Sequence, residues 1–444
     1  MLRIPPQVMG LMERLECRGF QAWAVGGCVR DSLLGLPPHD WDLCTDALPE
    51  EMVRIFSDFS LVRIGERHGT IAVVLEGRPV EVTTFRTEGG YEDHRRPDWV
   101  HFEKDIGADL SRRDFTVNAM AYSPRRGLAD PFGGQADLRA GVLRAVGEPV
   151  RRFEEDGLRI LRGVRFAARY GLTPEEKTLA GMTALAPTLA SQARERVFTE
   201  LCGFLPAARA SDFQVFAPVI LAAVPALGPS WGFQQHNPHH AFDVYTHTAQ
   251  VVERVPPDLP LRWAALLHDV AKPACFTLDE AGIGHFRGHA RRGAEMAREI
   301  LKNLRAPRVL EEHVAMLIAY HGVTRDLGRL QSDQPLRRLL RRLGEKALRD
   351  LLALDRADDG GKGTQSAPDS FDRFEAALDR ILSEQPCLTL KDLAVSGRDL
   401  LDLGFPQGPE LGRVLRMLLD EVGDGRLPND RQALLDRARA WSIS

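Results

Sequence analysis

The feature that most constrains this chain is a change of hydrophobic period near residue 150. Residues 20–85 alternate short apolar runs (QAWAVGG, FSLVRIG, TIAVVLEG, RPVEVTTF) with Gly and polar turns, the pattern of a small sheet with a few covering helices. From Phe153 onward, apolar residues recur at three and four spacing, as in LRILRGVRFAARY, ERVFTELCGFL and AEMAREILKNL. Strand-like alternation nearly disappears there. The prediction is an α+β protein: a head with a small mixed sheet, followed by an all-α body. At 444 residues and 44% hydrophobic content, the chain has material for several cores of roughly 100–200 residues each.

The Pro- and Gly-rich stretch from Pro206 to Pro238 separates one helical group from a His-rich one that starts near His236, and DGGKGTQSAPDS at Asp359 to Ser370 reads as an exposed linker. The expected segments are a head over 1–145, a helical neck over 146–225, a His-rich domain over 226–360 and a helical tail over 371–444.

No run of ~18 apolar residues occurs, and Met1 to Phe20 lacks the basic, apolar and small-residue order of a secretory leader. A cytoplasmic protein without a membrane partner is expected. Cys17, Cys28, Cys44, Cys202, Cys275 and Cys387 are scattered with no CxxC pair, which points to reduced, mostly buried thiols rather than a disulfide framework or zinc knuckle. The net charge of -4 gives no global pull toward nucleic acid. Positive charge is instead local: Arg95-Arg96, Arg112-Arg113, Arg151-Arg152 and the series Arg159, Arg162, Arg165, Arg169. Leu336 to Arg342 (LRRLLRR) reads as an amphipathic helix with a solvated face.

Ala22 to Asp31 (AWAVGGCVRD) reads as a strand, a Gly pair and a helix starting after Gly27. Such a corner offers free backbone N–H groups and a positive dipole end to an anion, although a Gly pair alone also suits an ordinary tight turn. Downstream, Asp40-Trp41-Asp42 continues as Leu43-Cys44, and in a strand residues two apart face the same side. Two carboxylates facing one point suit Mg²⁺, and paired metals suit in-line phosphoryl transfer. A third carboxylate, Glu81, opens EVTTFR after a Gly-Arg-Pro turn and reaches the same site if that run forms a neighbouring strand. An isolated DxD is also the composition of a solvated turn, so the context has to decide.

That context is specific. GGCVRD, LLG and DWDL, in this order and spacing, resemble the signature of the class II tRNA nucleotidyltransferase and poly(A) polymerase family of the polymerase β-like superfamily. GERHGTIAV at Gly65 to Val73, RRDFTVNAMAY at Arg112 to Tyr122 and DPFGGQADL at Asp130 to Leu138 resemble its following motifs. The resemblance implies that Gly26, Gly27, Arg30 and Asp31 hold the triphosphate and sugar, and that Asp40 and Asp42 bind catalytic Mg²⁺. It further implies that Arg113, Asp114 and Asn118 contact the ribose and phosphates of the incoming nucleotide.

In the neck, EDGLRILR begins a helix in which Asp156 and Arg159 project from one face. The plain reading is a surface ion pair. A carboxylate that accepts and a guanidinium that donates also match cytosine and adenine, both of which carry an amino group beside an unprotonated ring nitrogen. Uracil and guanine present the reverse. The segment resembles the family's EDxxR base-reading motif, with Arg162 and Arg165 continuing the nucleotide-binding set, and ARERVFTEL at Ala193 to Leu201 resembles a later neck helix. Thr87 to Phe102 resembles the complete flexible loop of enzymes that switch from C to A. The implied activity is template-independent addition of CCA to tRNA from CTP and ATP, with no DNA partner. An A-adding enzyme or a poly(A) polymerase remains open at this stage.

His247, His268-Asp269 and Asp358 occur in helical surroundings, followed or interleaved by His289 and His321. His with carboxylate suits a divalent transition metal that activates water. The series resembles the H…HD…D pattern of HD phosphohydrolase domains, which implies an unidentified divalent metal on His247, His268, Asp269 and Asp358, with Asp355 and Asp359 competing for the last place. His289 and His321 either complete a binuclear site or bind substrate phosphate. From this side the rival reading is an HD nucleotide hydrolase with a regulatory nucleotide-binding head. The tail, Leu388 to Ala440, reads as a helical hairpin capped by Gly404 and Gly408.

Overall fold

The computed structural model describes residues 2–90, 99–238, 240–364, 369–384 and 387–442. It divides into two compact units, Met1–Pro225 and Ala226–Ser444. No helix among the described residues is long and apolar enough to cross a membrane. Of the six cysteines, Cys28, Cys44 and Cys387 are buried and Cys17 is exposed.

The first unit is built on strands β1 (Ala22–Val25), β2 (Leu43–Thr45), β3 (Ser60–Val62), β4 (Thr70–Leu75), β5 (Arg78–Thr84), β6 (Arg86–Gly89), β7 (Trp99–Phe102), β8 (Ala121–Ser123) and β9 (Gly127–Ala129). Seven of them form one mixed sheet in the order β3-β4-β5-β2-β1-β8-β9, with β2 and β5 parallel at Leu43↔Val82. Every residue of β1 and β2 is buried, as expected of central strands. The β4–β5 hairpin turns at Glu76-Gly77, both at positive φ (49° and 80°), the backbone of a two-residue primed turn. The strand bearing Glu81 therefore begins at Arg78, earlier than expected, and places Glu81 in its middle. β6 and β7 pair from Arg86↔Phe102 to Gly89↔Trp99. The rest of the loop expected over Thr87 to Phe102, including Arg95-Arg96, lies outside the described residues.

Eleven helices complete this unit: α1 (Pro6–Cys17), α2 (Gly27–Leu33), α3 (Pro49–Ile55), α4 (Ile106–Ser111), α5 (Gly134–Ala140), α6 (Pro149–Glu155), α7 (Leu158–Tyr170), α8 (Glu176–Leu185), α9 (Arg194–Phe204), α10 (Ala210–Val215) and α11 (Ala217–Ala223). The long central helix α7 buries Leu158, Leu161, Val164 and Ala168 on one side and packs on α9. No continuous helix runs through Asp156, contrary to expectation. Asp156 is extended (φ -146°, ψ 104°), and its side chain accepts from Leu158 N at 3.0 Å. A carboxylate that bonds the backbone two residues ahead ends one helix and starts the next.

The second unit contains α12 (Val244–Arg254), α13 (Leu259–Leu267), α14 (His289–Asn303), α15 (Arg308–Tyr320), α16 (Val323–Leu327), α17 (Gln334–Leu343), α18 (Glu345–Gly360), α19 (Asp369–Ser383), α20 (Gly397–Asp402), α21 (Pro409–Gly423) and α22 (Arg431–Ser442). Helix α17 buries Leu336 and Leu340, and its face is not wholly solvated: Arg338 and Arg341 pair with buried Asp424 at 2.8 and 2.9 Å. The linker expected from Asp359 is shorter than its composition suggested, because α18 runs to Gly360 and α19 starts at Asp369; 365–368 lie outside the described residues. The tail has three helices rather than one hairpin, gathered on Leu400, Phe405, Val414, Leu418 and Leu434.

Gly134 opens α5 against the short turn Thr116–Asn118, and a Cβ there would sit 2.1 Å from Thr116 O. Backbone cannot swing aside like a side-chain tip, so Gly134→Ala is expected to cost about 1–3 kcal/mol. A lower thermal midpoint checks this; an unchanged midpoint would show that the turn yields freely.

Candidate functional site

Strand β1 ends at Val25, Gly26 turns the chain at φ 77°, and α2 begins at Gly27. A Cβ on Gly26 would lie 2.9 Å from Arg113 Nη1, so glycine is what lets that guanidinium lie against the turn. The turn opens into a cavity of about 650 Å³. Gly26, Gly27, Arg30, Asp31, Asp40, Asp42, Arg113, Asp114, Asn118, Asp156, Arg159, Arg162 and Arg165 all line it. Residues separated by 139 positions in sequence thus converge because the sheet's central strands and α7 face the same space.

Of the expected carboxylates, Asp40 and Asp42 do not lie on a strand. β2 starts only at Leu43, after Pro37-Pro38, whose missing N–H groups cannot extend a ladder. Asp42 nonetheless continues the pairing through its carbonyl, which accepts from Val25 N at 3.0 Å. The parallel register Leu43↔Val82 sets Asp42 beside Glu81, which is off the cavity wall but close enough to act on Asp42. Asp40 is exposed and contacts His39 Nδ1 at 2.8 Å. The Asp42 carboxyl is pushed up to about 6 by surrounding protein, then by Glu81, with Asp40 adding and Arg113 opposing. Part of its surface still faces the cavity. Three acids gathered with too little positive charge are what a divalent cation would neutralise.

The opposite wall is held by ion pairs. Fully buried Asp109 accepts from Arg112 Nε and Nη2 (3.0 and 2.8 Å) and from Arg113 Nη2 (3.3 Å). Asp114 accepts from Asn118 Nδ2 at 3.0 Å and Arg162 Nε at 2.7 Å. Burial alone would raise the Asp114 carboxyl, but Arg162 and Asn118 hold it well below the usual carboxylate range. Arg113 Nε is buried without a hydrogen-bond partner. Arg165 donates to Glu200 at 2.6 Å and stacks 4.4 Å from the Phe166 ring centre. Arg30 turns inward and is bonded to its neighbour Asp31 at 2.9 and 2.7 Å.

Asp156 and Arg159 share the cavity without pairing to each other. Asp156 Oδ2 accepts from Arg196 Nη2 at 3.0 Å, while Arg159 donates to Glu155 at 2.7 Å and to the Arg152 and Arg112 carbonyls at 3.1 Å each. Sequence reasoning missed Asp109, Glu155, Tyr170, Arg196 and Glu200. Asp109 and Glu155 were findable as acids three or four positions from arginines on helices; the others depend on tertiary contact.

In the second unit, His247, His268 and Asp358 form one cluster and Asp269, His289 and His321 another, each with ligand atoms within 4.8 Å of one another. His247 and His268 are fully buried. The Nδ1 atoms of His247, His268, His289 and His321 lie 3.2, 2.8, 2.7 and 2.6 Å from the carbonyls of Gly361, Ala265, Phe286 and Ile318. A carbonyl only accepts, so each Nδ1 carries a proton, which leaves each Nε2 as the atom available to a metal. Carbonyl-anchored imidazoles of this kind are what metal ligation needs. His289 Nε2 and His321 Nε2 face each other at 3.1 Å, and buried His268 Nε2 lies 3.1 Å from Asp269 Oδ2. Among the competing aspartates, Asp358 Oδ1 lies 3.0 Å from His247 Nε2. Asp355 instead caps Gly322 and Thr324 (2.6 and 3.0 Å to their N atoms), and Asp359 pairs with Lys362 at 2.8 Å.

Comparison with known proteins agrees with this geometry. The poly(A) polymerase head domain family matches residues 22–144, and tRNA nucleotidyltransferase domain 2 matches residues 289–438. A CCA-adding enzyme of Geobacillus thermodenitrificans is 33% identical over 443 residues, 98% of this chain and 96% of that protein. One from Limosilactobacillus fermentum is 33% identical over 430 residues, 96% and 95% of the two chains. The crystal structure of the Bacillus stearothermophilus CCA-adding enzyme in complex with CTP superimposes at a TM-score of 0.70 with 26% identity, covering 99% of this chain and 98% of that one. The fold of the Thermotoga maritima CCA-adding enzyme complexed with tRNA is also shared, at TM-score 0.61 and 20% identity over 100% and 97% of the two chains. This chain therefore belongs to the CCA-adding enzymes, tRNA nucleotidyltransferases whose head is that of the poly(A) polymerases.

Proposed function

We propose that the cavity beneath Gly26 takes CTP or ATP together with the 3′ end of a tRNA and builds the terminal CCA. The observation that carries this is the placement of Asp40 and Asp42 on the wall of one arginine-lined cavity, with Glu81 beside Asp42 on the neighbouring strand. In each cycle the terminal hydroxyl oxygen of the tRNA bonds to the α-phosphorus, the bond from that phosphorus to the bridging oxygen breaks, and pyrophosphate leaves. Asp40, Asp42 and Glu81 are the residues that would hold a divalent metal such as Mg²⁺, which when bound acidifies the attacking hydroxyl and offsets triphosphate charge. Arg113, whose Nη1 lies against the Gly26 turn, and the amides after Gly26 grip the triphosphate; Arg162 and Arg165 extend that grip. Asp114 and Asn118 orient the ribose side of the cavity.

Base choice falls to Asp156 and Arg159. The Asp156 carboxylate accepts from the amino group of cytosine or adenine, and Arg159, which retains its Nε and a spare Nη2 hydrogen, donates to the ring nitrogen. The reaction runs in the cytoplasm, where tRNA, CTP and ATP are found.

The second unit supports a separate activity. We infer that His247, His268, Asp269 and Asp358 hold a divalent metal and that His289 and His321 extend the site to a second ion, the donor set of an HD phosphohydrolase. The gathering of His247, His268 and Asp358, and of Asp269, His289 and His321, into two groups of potential ligand atoms within 4.8 Å of one another favours this over a packing role. A bound ion there would supply activated water for phosphoester hydrolysis. Lys272, buried and 2.7 Å from Asp269, steadies that carboxylate, and Arg287 and Arg325 on the cavity wall suit an anionic substrate.

With Mg²⁺, CTP and ATP, a tRNA ending before CCA is expected to gain C, C and A and then stop. Growth only from the CC end with ATP would make this an A-adding enzyme, and no incorporation at all would overturn the assignment. Asp42→Asn is expected to lose at least ~10³-fold in rate yet melt higher than the parent in metal-free buffer at pH 8. The sign follows from the raised carboxyl: ionising Asp42 costs stability as pH rises from its usual value of 3.8 through about 6. The stability gain should vanish near pH 4.

Asp156→Ala is expected to reduce discrimination of CTP over UTP by about 10–100-fold, the equivalent of losing one hydrogen bond to a fixed partner. Equal losses for all four nucleotides would assign Asp156 to structure alone. His268→Ala should strip the second unit of bound metal, as read by elemental analysis, and abolish hydrolysis of bis(p-nitrophenyl) phosphate while CCA addition continues. Unchanged metal content in that variant would remove the metal reading of the His/Asp cluster.

A further inference from the structure

Arg30 does not behave as a phosphate grip. Its Nε and Nη2 donate to Asp31, Nη2 also donates to the Tyr170 hydroxyl at 2.5 Å, and Nη1 donates to Asn118 Oδ1. Four of its five N–H donors are thereby engaged inside the protein. Only 6% of its side chain is exposed. Reaching for a ligand would cost bonds that nothing nearby replaces.

What Arg30 does touch is α7. Its guanidinium lies 4.1 Å from the Tyr170 ring centre and 5.2 Å from that of Phe166, one helical turn apart on the same stripe. One turn further back, Arg162 bonds Asp114, and Asp114 accepts from Asn118. Tyr170, Arg30, Asn118, Asp114 and Arg162 therefore form a circuit that returns to α7 two turns from where it left, a span of about 12 Å. Helix α2, which carries the Gly26 turn, is fixed to α7 through its Tyr170 end; the turn bearing Asn118 and Asp114 is fixed through its Arg162 end. The base-reading pair lies at the start of α7.

We propose that Tyr170 is a positioning residue for nucleotide binding: by ring and hydroxyl it holds Arg30 as a bolt between α2 and α7, setting the distance between the phosphate cradle and Asp156 and Arg159. A nucleotide spans both, so the bolt acts on binding of CTP and ATP rather than on the transfer step. This goes beyond the roles assigned above, which place no weight on Tyr170.

The test uses the full-length enzyme with Mg²⁺ and tRNA ending before CCA. Tyr170→Phe keeps the ring and loses the acceptor; Tyr170→Leu loses both. KM for CTP and ATP should rise about threefold in the first and about tenfold or more in the second, with kcat within about twofold of the parent. Arg30→Lys keeps the charge but not the planar fork, so it should match Tyr170→Leu, and the double variant should be no worse than either single one. Unchanged KM in Tyr170→Leu would overturn the proposal. So would additive losses in the double variant, or a fall of kcat and melting temperature in step with the rise in KM, which would mark a residue that only supports the fold.

Discussion

The ion pair of Asp114 and Arg162, 2.7 Å long, is the contact on which the rest of the first unit's site depends. It joins the segment after α4 to the middle of α7, two regions the chain reaches 48 residues apart. Asp114 is buried, and its carboxyl stays ionised only because Arg162 and Asn118 outweigh the cost of desolvation. A pair of this kind adds little net stability over a well-packed apolar pair, but breaking it strands a buried charge at a cost of about 3–5 kcal/mol. Its value is geometric: while it stands, Asn118, Arg113 and the arginine face of α7 hold fixed positions around one cavity.

Each unit gathers its own cluster of ionisable side chains. In the first unit three carboxylates crowd together with Arg113 as the opposing charge, and the result is an Asp42 that resists ionisation. In the second unit four imidazoles are each turned by a backbone carbonyl, and the Nε2 atoms of His247 and His268 meet Asp358 and Asp269 at 3.0 and 3.1 Å. Each cluster is stable in its fold because the surrounding cores, central strands β1 and β2 in one case and the buried faces of α12 and α13 in the other, leave the side chains no alternative. Hard oxygen donors on one side and nitrogen with carboxylate on the other suit different cations.

Much of this was legible in the sequence, for reasons that differ by residue. The change of period near residue 150 revealed the α+β head and helical body because alternation and helical spacing are read directly from burial. Motif order revealed the family. What was hidden was the backbone around the key side chains. Asp156 and Arg159 sit three apart, which reads as one helical face, yet Asp156 leaves the helix because its own carboxylate bonds Leu158 N. Helical spacing alone carries no sign of such a break. Asp355, Asp358 and Asp359 were equivalent on paper; only the packing of α18 shows that Asp355 is spent on capping Gly322 and Thr324 while Asp358 faces His247. Tyr170 carried no signal at all, since a tyrosine near a helix end is ordinary until Arg30 is found on its face.

On the base-reading role proposed for Asp156 and Arg159, their partners bear on how selectivity would arise. Without nucleotide, neither side chain is idle: Arg196 occupies Asp156, and Glu155 occupies Arg159. A cytosine or adenine edge adds to these bonds without displacing them, because a carboxylate has acceptor capacity beyond Arg196 and Arg159 keeps unused donors. A uracil or guanine edge brings carbonyl against carboxylate and N–H against guanidinium, and with Arg196 and Glu155 holding both groups in place, neither can rotate to accommodate it. The fixed partners convert a mismatch that a free side chain would evade into unpaired polar groups, each costing about 1–3 kcal/mol. Discrimination then comes less from attraction for the right base than from rigidity toward the wrong one.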